Sequence, residues 1–449
     1  MFKVFANSGW LFIDKFARLA IGLVIMAMIA RHIGPEAFGI WSYAIALTTI
    51  GGGIAVLGLD KLLVKELVSH PERRDTLMAT ALLLRLATGS VICVLCVGMV
   101  MLYRGQPSLY VYCTLIGGLN VIMQSFDVFD YYYQSQHALQ QVILPKVGVF
   151  LVFCLIKWIY ILLDAPLLTF VWCSFAELVM MYAIIYAVYW RRYGLPLWKA
   201  FRLAEARYLL GQSWPLLFAS LLILLYMKSD QLLLDTLGTP VVLGEYAAAA
   251  RISEIWYAIP VVIATAMLPG LIAQRERDVQ RYEQSVRRWM RLSWWCSFGV
   301  ALLVTLIARP LIQLLYGIQY PQSALILSIH IWANIPVFLA TAIMQCQVAE
   351  GAYKLNLYAT FTGLLVNVAI NIWLIPVMAG VGAAIGTLVS YVAVCTTLIV
   401  MDSGARARLL SWQLLAPQQL AADCKLLAAS LRVFAGRYLS LSGKKTLAE

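Results

Sequence analysis

Residues 77–102 read LMATALLLRLATGSVICVLCVGMVML, an apolar run that holds one charge, Arg85. Arg73 and Arg74 stand before it and Arg104 just after it. About 20 apolar residues suffice to carry a helix across the hydrocarbon of a bilayer. Lipid offers no partner to a free backbone amide, so such a run has to be helical. The Cys93-x-x-Cys96 pair stands alone inside this span, where cysteine usually serves as a small apolar filler.

Working outward, comparable runs lie near residues 10–30, 40–60, 109–133, 142–163 and 166–190. Six more lie near 209–235, 245–270, 292–315, 324–349, 355–376 and 380–401. The chain is 62% hydrophobic and 12% charged, whereas soluble domains average about 25% charged residues. These features predict an all-α polytopic membrane protein of about twelve transmembrane helices. The first run carries Asp14, Lys15 and Arg18 and is too long for a cleavable leader, so it reads as the first span.

Lysine and arginine set the orientation. With the N-terminus cytoplasmic, only Arg31, Arg104 and Arg309 fall in the outer segments; the other cations outside the spans fall on the inner side. Both termini are therefore expected in the cytoplasm, and the net charge of +12 reports topology and anionic headgroups, with no nucleic-acid partner.

The polar connection at 191–208 divides the chain into an N-terminal six-helix lobe (1–208) and a C-terminal six-helix lobe (209–402). Residues 403–449 form a cytoplasmic tail. In it Leu420, Cys424, Leu427, Leu431, Phe434 and Tyr438 recur at helical spacing, as in an interfacial helix. The two halves share an echo. Gly34-Pro35 through Gly39 follows span one, and Gly238-Thr-Pro240 through Gly244 follows span seven. Repeats that both start inside are related by an axis along the membrane normal.

Seven cations lie within the spans: Lys15, Arg18, Arg85, Lys146, Lys157, Lys228 and Arg251. Each costs on the order of 3 kcal/mol at mid-bilayer by insertion scales. The acids at similar depth, Asp127, Asp130, Glu177, Asp230 and Glu254, appear too few and too scattered to neutralise them all. That excess points to an anionic cargo, against the alternative of snorkelling or structural pairs. Arg251 and Glu254, one turn apart, can pair; Lys228 and Asp230 point apart on their helix. Polar stripes run through span four (Asn120, Gln124, Asp127, Tyr131, Gln134) and span eleven (Asn356, Thr360, Gly363, Asn367, Asn371). Span ten adds His330, Asn334, Thr341 and Gln345. Such stripes face other helices or water; interhelical packing and a hydrated cavity both satisfy them. On span five Lys146, Phe150, Phe153, Lys157 and Tyr160 share a face, a combination suited to phosphate and sugar. No catalytic nucleophile, zinc or phosphate-loop pattern is present, so the reading is not of an enzyme.

Several segments carry a resemblance: Asn7-Ser-Gly-Trp10, the run from Ile29-Ala-Arg31 through Phe38-Gly39-Ile-Trp-Ser-Tyr43, Leu57-Gly58-Leu59-Asp60, and Lys65-Glu66-Leu67. Later come Tyr316-Gly317, Asn367-x-x-x-Asn371, Ile375-Pro376 and Gly380-Val-Gly382. Together they are similar to the O-antigen flippases of the Wzx type. The resemblance implies the multidrug/oligosaccharidyl-lipid/polysaccharide exporter fold, two six-helix lobes forming a V around a central cavity. It implies an inner-membrane flippase for undecaprenyl-pyrophosphate-linked oligosaccharide, with a polysaccharide polymerase and chain-length regulator as partners. The expected substrate-binding residues are the seven cations with Asn120, Gln124, Asn367 and Asn371. No cofactor is expected; H⁺ or Na⁺ coupling would fall to Asp127, Asp130, Asp230 or Glu254. A cation-coupled multidrug exporter or a lipid II-type flippase of the same fold is the alternative, and a non-transporting scaffold a third class.

Overall fold

The structure, a computed structural model, describes residues 2–105, 108–136, 138, 140–193, 200–352, 354–409, 419 and 423; the side chains of residues 2–17 and of Leu409 lie outside that description. The Lys15 side chain and most of the expected tail helix therefore fall outside that description.

Among the described residues, ten helices are long and apolar enough to cross a membrane. Two of them, Arg18–Ser69 and Lys354–Met401, are 52 and 48 residues long. At 1.5 Å per residue each reaches about 70–80 Å, more than twice the ~30 Å hydrocarbon core. The second is broken at Ala379 (φ 50°, ψ −128°) after Pro376. The first is broken at Gly34 (φ 81°, ψ 168°) before Pro35, and again at the turn over residues 56–58, where Leu57 and Gly58 have positive φ, with only an 11-residue helix beyond it. Each therefore supplies two crossings, and all twelve expected spans are present. The protein is an all-α, multi-pass membrane protein.

In chain order the helices are α1 (Phe2–Ala55), α2 (Leu59–Ser69), α3 (Arg74–Arg104), α4 (Leu109–Met123), α5 (Asp127–Ser135), α6 (Gln140–Leu162), α7 (Leu167–Tyr193) and α8 (Leu203–Leu237). They continue with α9 (Pro240–Glu254), α10 (Ala258–Arg277), α11 (Val279–Leu315), α12 (Ser323–His330), α13 (Asn334–Glu350), α14 (Lys354–Met401) and α15 (Ser403–Leu409). Three expected spans are each interrupted by a single 3₁₀ turn, at Gln124–Phe126, Ile255–Tyr257 and Ile331–Ala333. These turns lie beside polar residues, Asp127, Glu254 and Asn334. Mid-helix 3₁₀ turns commonly mark hinges.

The chain divides into two compact units that interleave along the sequence. The first comprises Met1–Ile255, Ile307–His330 and Gly363–Ser390, so it draws helices from both sides of residues 191–208. Its core gathers Leu59, Leu63, Leu77, Phe129, Tyr133 and Ile185, all nearly inaccessible. The second comprises Trp256–Leu306, Ile331–Thr362 and Tyr391–Glu449. It is tied together by Arg408, which donates to Glu283 and Glu350 at 2.7 Å each, and by Gln347, which donates to Asp402 at 2.9 Å.

The Gly/Pro echo has a tertiary meaning in the first unit. Helices α1 and α9 pack so closely that a Cβ on Gly39 would run into the Pro240 carbonyl oxygen. Reciprocally, a Cβ on Gly244 would run into the Pro35 carbonyl oxygen. Each half contributes Pro-x-x-x-Gly, and each glycine accepts the other half's proline carbonyl. The kink at Gly34-Pro35 also frees two carbonyls, because Pro35 has no N–H and Gly34 leaves helical geometry. Tyr320 donates to one, Ala30 O, at 2.7 Å, and the Gln319 amide donates to the other, Arg31 O.

Candidate functional site

The first unit holds most of the intramembrane charge, and the structure pairs what the sequence left scattered. Arg85 on α3 is 1% exposed. Its Nη2 donates to the Gln124 carbonyl at 2.8 Å and lies 3.4 Å from Asp127 Oδ2. Asp127 also accepts from the Tyr182 hydroxyl at 2.6 Å. Lys146 pairs with Asp130, Lys157 with Glu177 at 2.6 Å, and Lys228 with Glu254 at 3.2 Å. Four of the five acids thus find a cation from another helix. The expected scatter is corrected, because antiparallel helices bring together neighbours that sequence separation hid; the acids are still too few to neutralise all seven cations. The two cations on the expected sugar-and-phosphate face of span five, Lys146 and Lys157, are both occupied in this way.

Such pairs are costly to break. Removing one partner of a buried pair leaves an uncompensated charge at about 3–5 kcal/mol, while removing both is often near neutral. Lys157→Met alone should therefore lower the thermal midpoint of the detergent-purified protein strongly, and adding Glu177→Gln should restore most of it. Equal destabilisation by the single and double changes would show that the pair contributes nothing.

Three of the seven cations remain. Lys15 is outside the described side chains. Arg18 donates to the Ile143 carbonyl at 3.5 Å. Arg251, half-buried on α9, makes no ion pair among the described residues; the partner open to it by sequence, Glu254, is held by Lys228. Its guanidinium lies 5.5 Å from the Phe38 ring centroid, a cation–π contact. Phe38 in turn packs on Tyr316 and Tyr320 at 6.3 and 6.4 Å between centroids. The buried Tyr316 hydroxyl has no hydrogen-bond partner among the described residues.

Asp230 is the complement, a carboxylate without a cation. It is 4% exposed and makes no ion pair among the described residues. Tyr246 donates to its Oδ2, the Thr387 hydroxyl lies 3.4 Å away, and the backbone N–H of Gln231 donates to Oδ1 at 2.7 Å. One layer further, Ser229 and Asn371 donate to Asn367 Oδ1, each at 2.9 Å. The Asn367 amide reaches Ser390 Oγ at 3.3 Å. The span-eleven asparagines thus tie α8 to both halves of α14. Tyr246 and Thr387 were not singled out in the sequence. The turn at Gly238–Pro240 folds α9 back along α8, and residues at similar distances from such a turn, as 230 and 246 are, become neighbours. That was the available signal.

A cavity of about 150 Å³ opens between the second half of α1, α4 and α7. Asn120 and Gln124 line it, as do Trp41, Thr48, Thr49 and Ser174, which the sequence reading missed. Among the described residues no cluster of three histidine, cysteine or acidic side chains could hold a metal.

The fold is shared with solved transporters. An inward-facing multidrug resistance MATE family transporter of the MOP superfamily superposes with a TM-score of 0.70 at 14% identity, covering 88% of this chain and 96% of that one. The lipid II flippase MurJ, in an inward closed conformation, superposes at 0.67 and 13% identity, covering 87% and 86%. An outward-facing MATE family transporter gives 0.59 at 17% identity, covering 88% and 96%. No curated protein sequence matches the chain. These likenesses establish the fold, which this chain shares with MATE family transporters and with the lipid II flippase MurJ. The family model described as polysaccharide biosynthesis protein matches residues 28–325, and the chain belongs to that family.

Proposed function

We propose that the protein flips an undecaprenyl-pyrophosphate-linked oligosaccharide, an O-antigen or related repeat unit, from the cytoplasmic to the outer leaflet of the inner membrane. The observation that carries this reading is Arg251, a guanidinium within the membrane with neither an ion pair nor a hydrogen bond among the described residues. A permanent cation held there attracts a pyrophosphate and repels the cationic cargo of a multidrug exporter. The family and the likeness to a lipid II flippase support the cargo class. The charge distribution along the sequence supports cytoplasmic termini. A polymerase with its chain-length regulator would receive the delivered units.

Asp230 is the proposed seat of the coupling ion. Of the five acids named above it is the one with no cationic partner among the described residues, and hydroxyl and backbone amide groups surround it in a way that suits H⁺ or Na⁺. Arg85, Lys146, Lys157 and Lys228 then act first as structural partners of Asp127, Asp130, Glu177 and Glu254, which removes these acids from ion coupling in this conformation.

Purified protein in liposomes tests the reading. Lipid-linked repeat units should move between leaflets, a cationic dye should not, and an imposed H⁺ or Na⁺ gradient should accelerate the movement. Asp230→Asn should keep the fold and remove that acceleration, because an intramembrane carboxylate that reads the ion cannot be replaced by an amide. Dye movement without glycan movement would replace this reading with the multidrug one.

A further inference from the structure

The cavity between α1, α4 and α7 contains polar groups that the protein itself does not satisfy. Among the described residues the side chains of Thr49, Asn120, Gln124 and Ser174 make no hydrogen bond, and the Asn120 amide oxygen is buried without a partner. Thr48 spends its hydroxyl proton on the Ala44 carbonyl at 2.7 Å, which leaves its lone pairs to accept. Trp41 adds an aromatic surface to the same wall. Gly117 keeps the space open beside Thr48, because a Cβ there would lie 2.9 Å from the threonine methyl and hydroxyl. Among the described residues nothing charged lines the cavity.

This combination separates ligand classes. A phosphate or a carboxylate would find no cation in this pocket. A hydrocarbon would strand the amides and hydroxyls. A neutral ring that carries hydroxyls meets both demands, since its C–H surface suits an indole and its O–H groups pair with amide and hydroxyl side chains. Size agrees: a cavity near 150 Å³ is what a six-membered ring occupies.

We infer that this pocket is a subsite for one neutral sugar ring of the cargo, held by Trp41, Thr48, Asn120 and Gln124, and that it sets which glycans are accepted. The inference rests on the lipid-linked glycan reading above and adds to it the site of sugar recognition.

Two probes separate the two claims in a liposome flipping assay: lipid-linked repeat units extracted from cells blocked in polymerisation, and undecaprenyl pyrophosphate without sugar. The wild type should move the glycosylated probe the faster. Asn120→Leu, which keeps volume and removes the amide, and Ser174→Phe, which fills the cavity, should each slow the glycosylated probe about tenfold, the scale of one or two lost hydrogen bonds. Ser174→Phe should leave the bare pyrophosphate unchanged, and Asn120→Leu should slow it much less than the glycosylated probe, which also reports that the variants fold. A wild type that moves neither probe would overturn the function reading itself. A wild type that moves the glycosylated probe beside variants that do so equally well would overturn the subsite and leave the pocket as a water-filled gap. Equal loss of both probes in both variants would overturn it too, by showing that the pocket only supports the fold.

Discussion

Replacing Arg251 with Gln should abolish glycan export while leaving the amount of folded protein unchanged. Arg251 contributes no ion pair among the described residues, so its removal orphans no buried acid. Glu254 keeps its partner, Lys228, at 3.2 Å. On the proposed reading the substitution would remove a charge-assisted contact to the cargo, worth about 2 kcal/mol or more, and hence roughly thirtyfold in transport. Arg251→Lys should retain part of the activity, because charge survives while the bidentate fork is lost. The structural cost appears elsewhere: Glu254→Gln should lower abundance by exposing Lys228, and Lys228→Met beside it should restore abundance. Export and protein level are read together in cells and repeated with purified protein. Normal export by Arg251→Gln at normal abundance would falsify the anion-binding role.

Adding one methyl group at Gly39 or Gly244 should destabilise the protein as strongly as a large core substitution. At both positions the obstacle is a backbone carbonyl, Pro240 O for Gly39 and Pro35 O for Gly244. A carbonyl fixed in a helix cannot swing aside as a side-chain tip can. Overpacking of this kind costs about 1–3 kcal/mol, and more where backbone must move. Gly39→Ala and Gly244→Ala should each lower the thermal midpoint by several degrees. The double variant should lose less than the sum, because both contacts close the same seam and the first methyl already parts the helices. Thermal unfolding in detergent measures all three. Full additivity would mean that the two contacts open independently, and unchanged midpoints would mean that α1 and α9 are not packed this closely.

Pro35-x-x-x-Gly39 and Pro240-x-x-x-Gly244 also show how far the sequence reached. As residues they marked two turns at matching places in the two halves. Only the packing showed that each glycine exists for the other's proline. Pro35 reads in the sequence as a helix boundary; that Tyr320 and Gln319 would cap the carbonyls freed there involves partners nearly three hundred residues away.

What the sequence determined by itself was the class of molecule. Apolar runs long enough to span lipid force helices, because an unpaired amide is too costly in hydrocarbon, and that constraint is local. It yielded the spans, and the Gly and Pro positions yielded several of the breaks. The candidate charges were legible for the same reason, since each is conspicuous in its own run. Their roles were not. Whether Arg85, Lys146, Lys157 or Lys228 is free to meet a cargo depends on which acid a different helix presents at the same depth. Sequence spacing fixes neighbours only along one helix. The same limit hid Thr49 and Ser174, ordinary residues on their own helices. They become a site only where α1, α4 and α7 enclose a common space. Tertiary packing decided which charges are cancelled, which arginine and which aspartate are left over, and where unsatisfied polar groups converge.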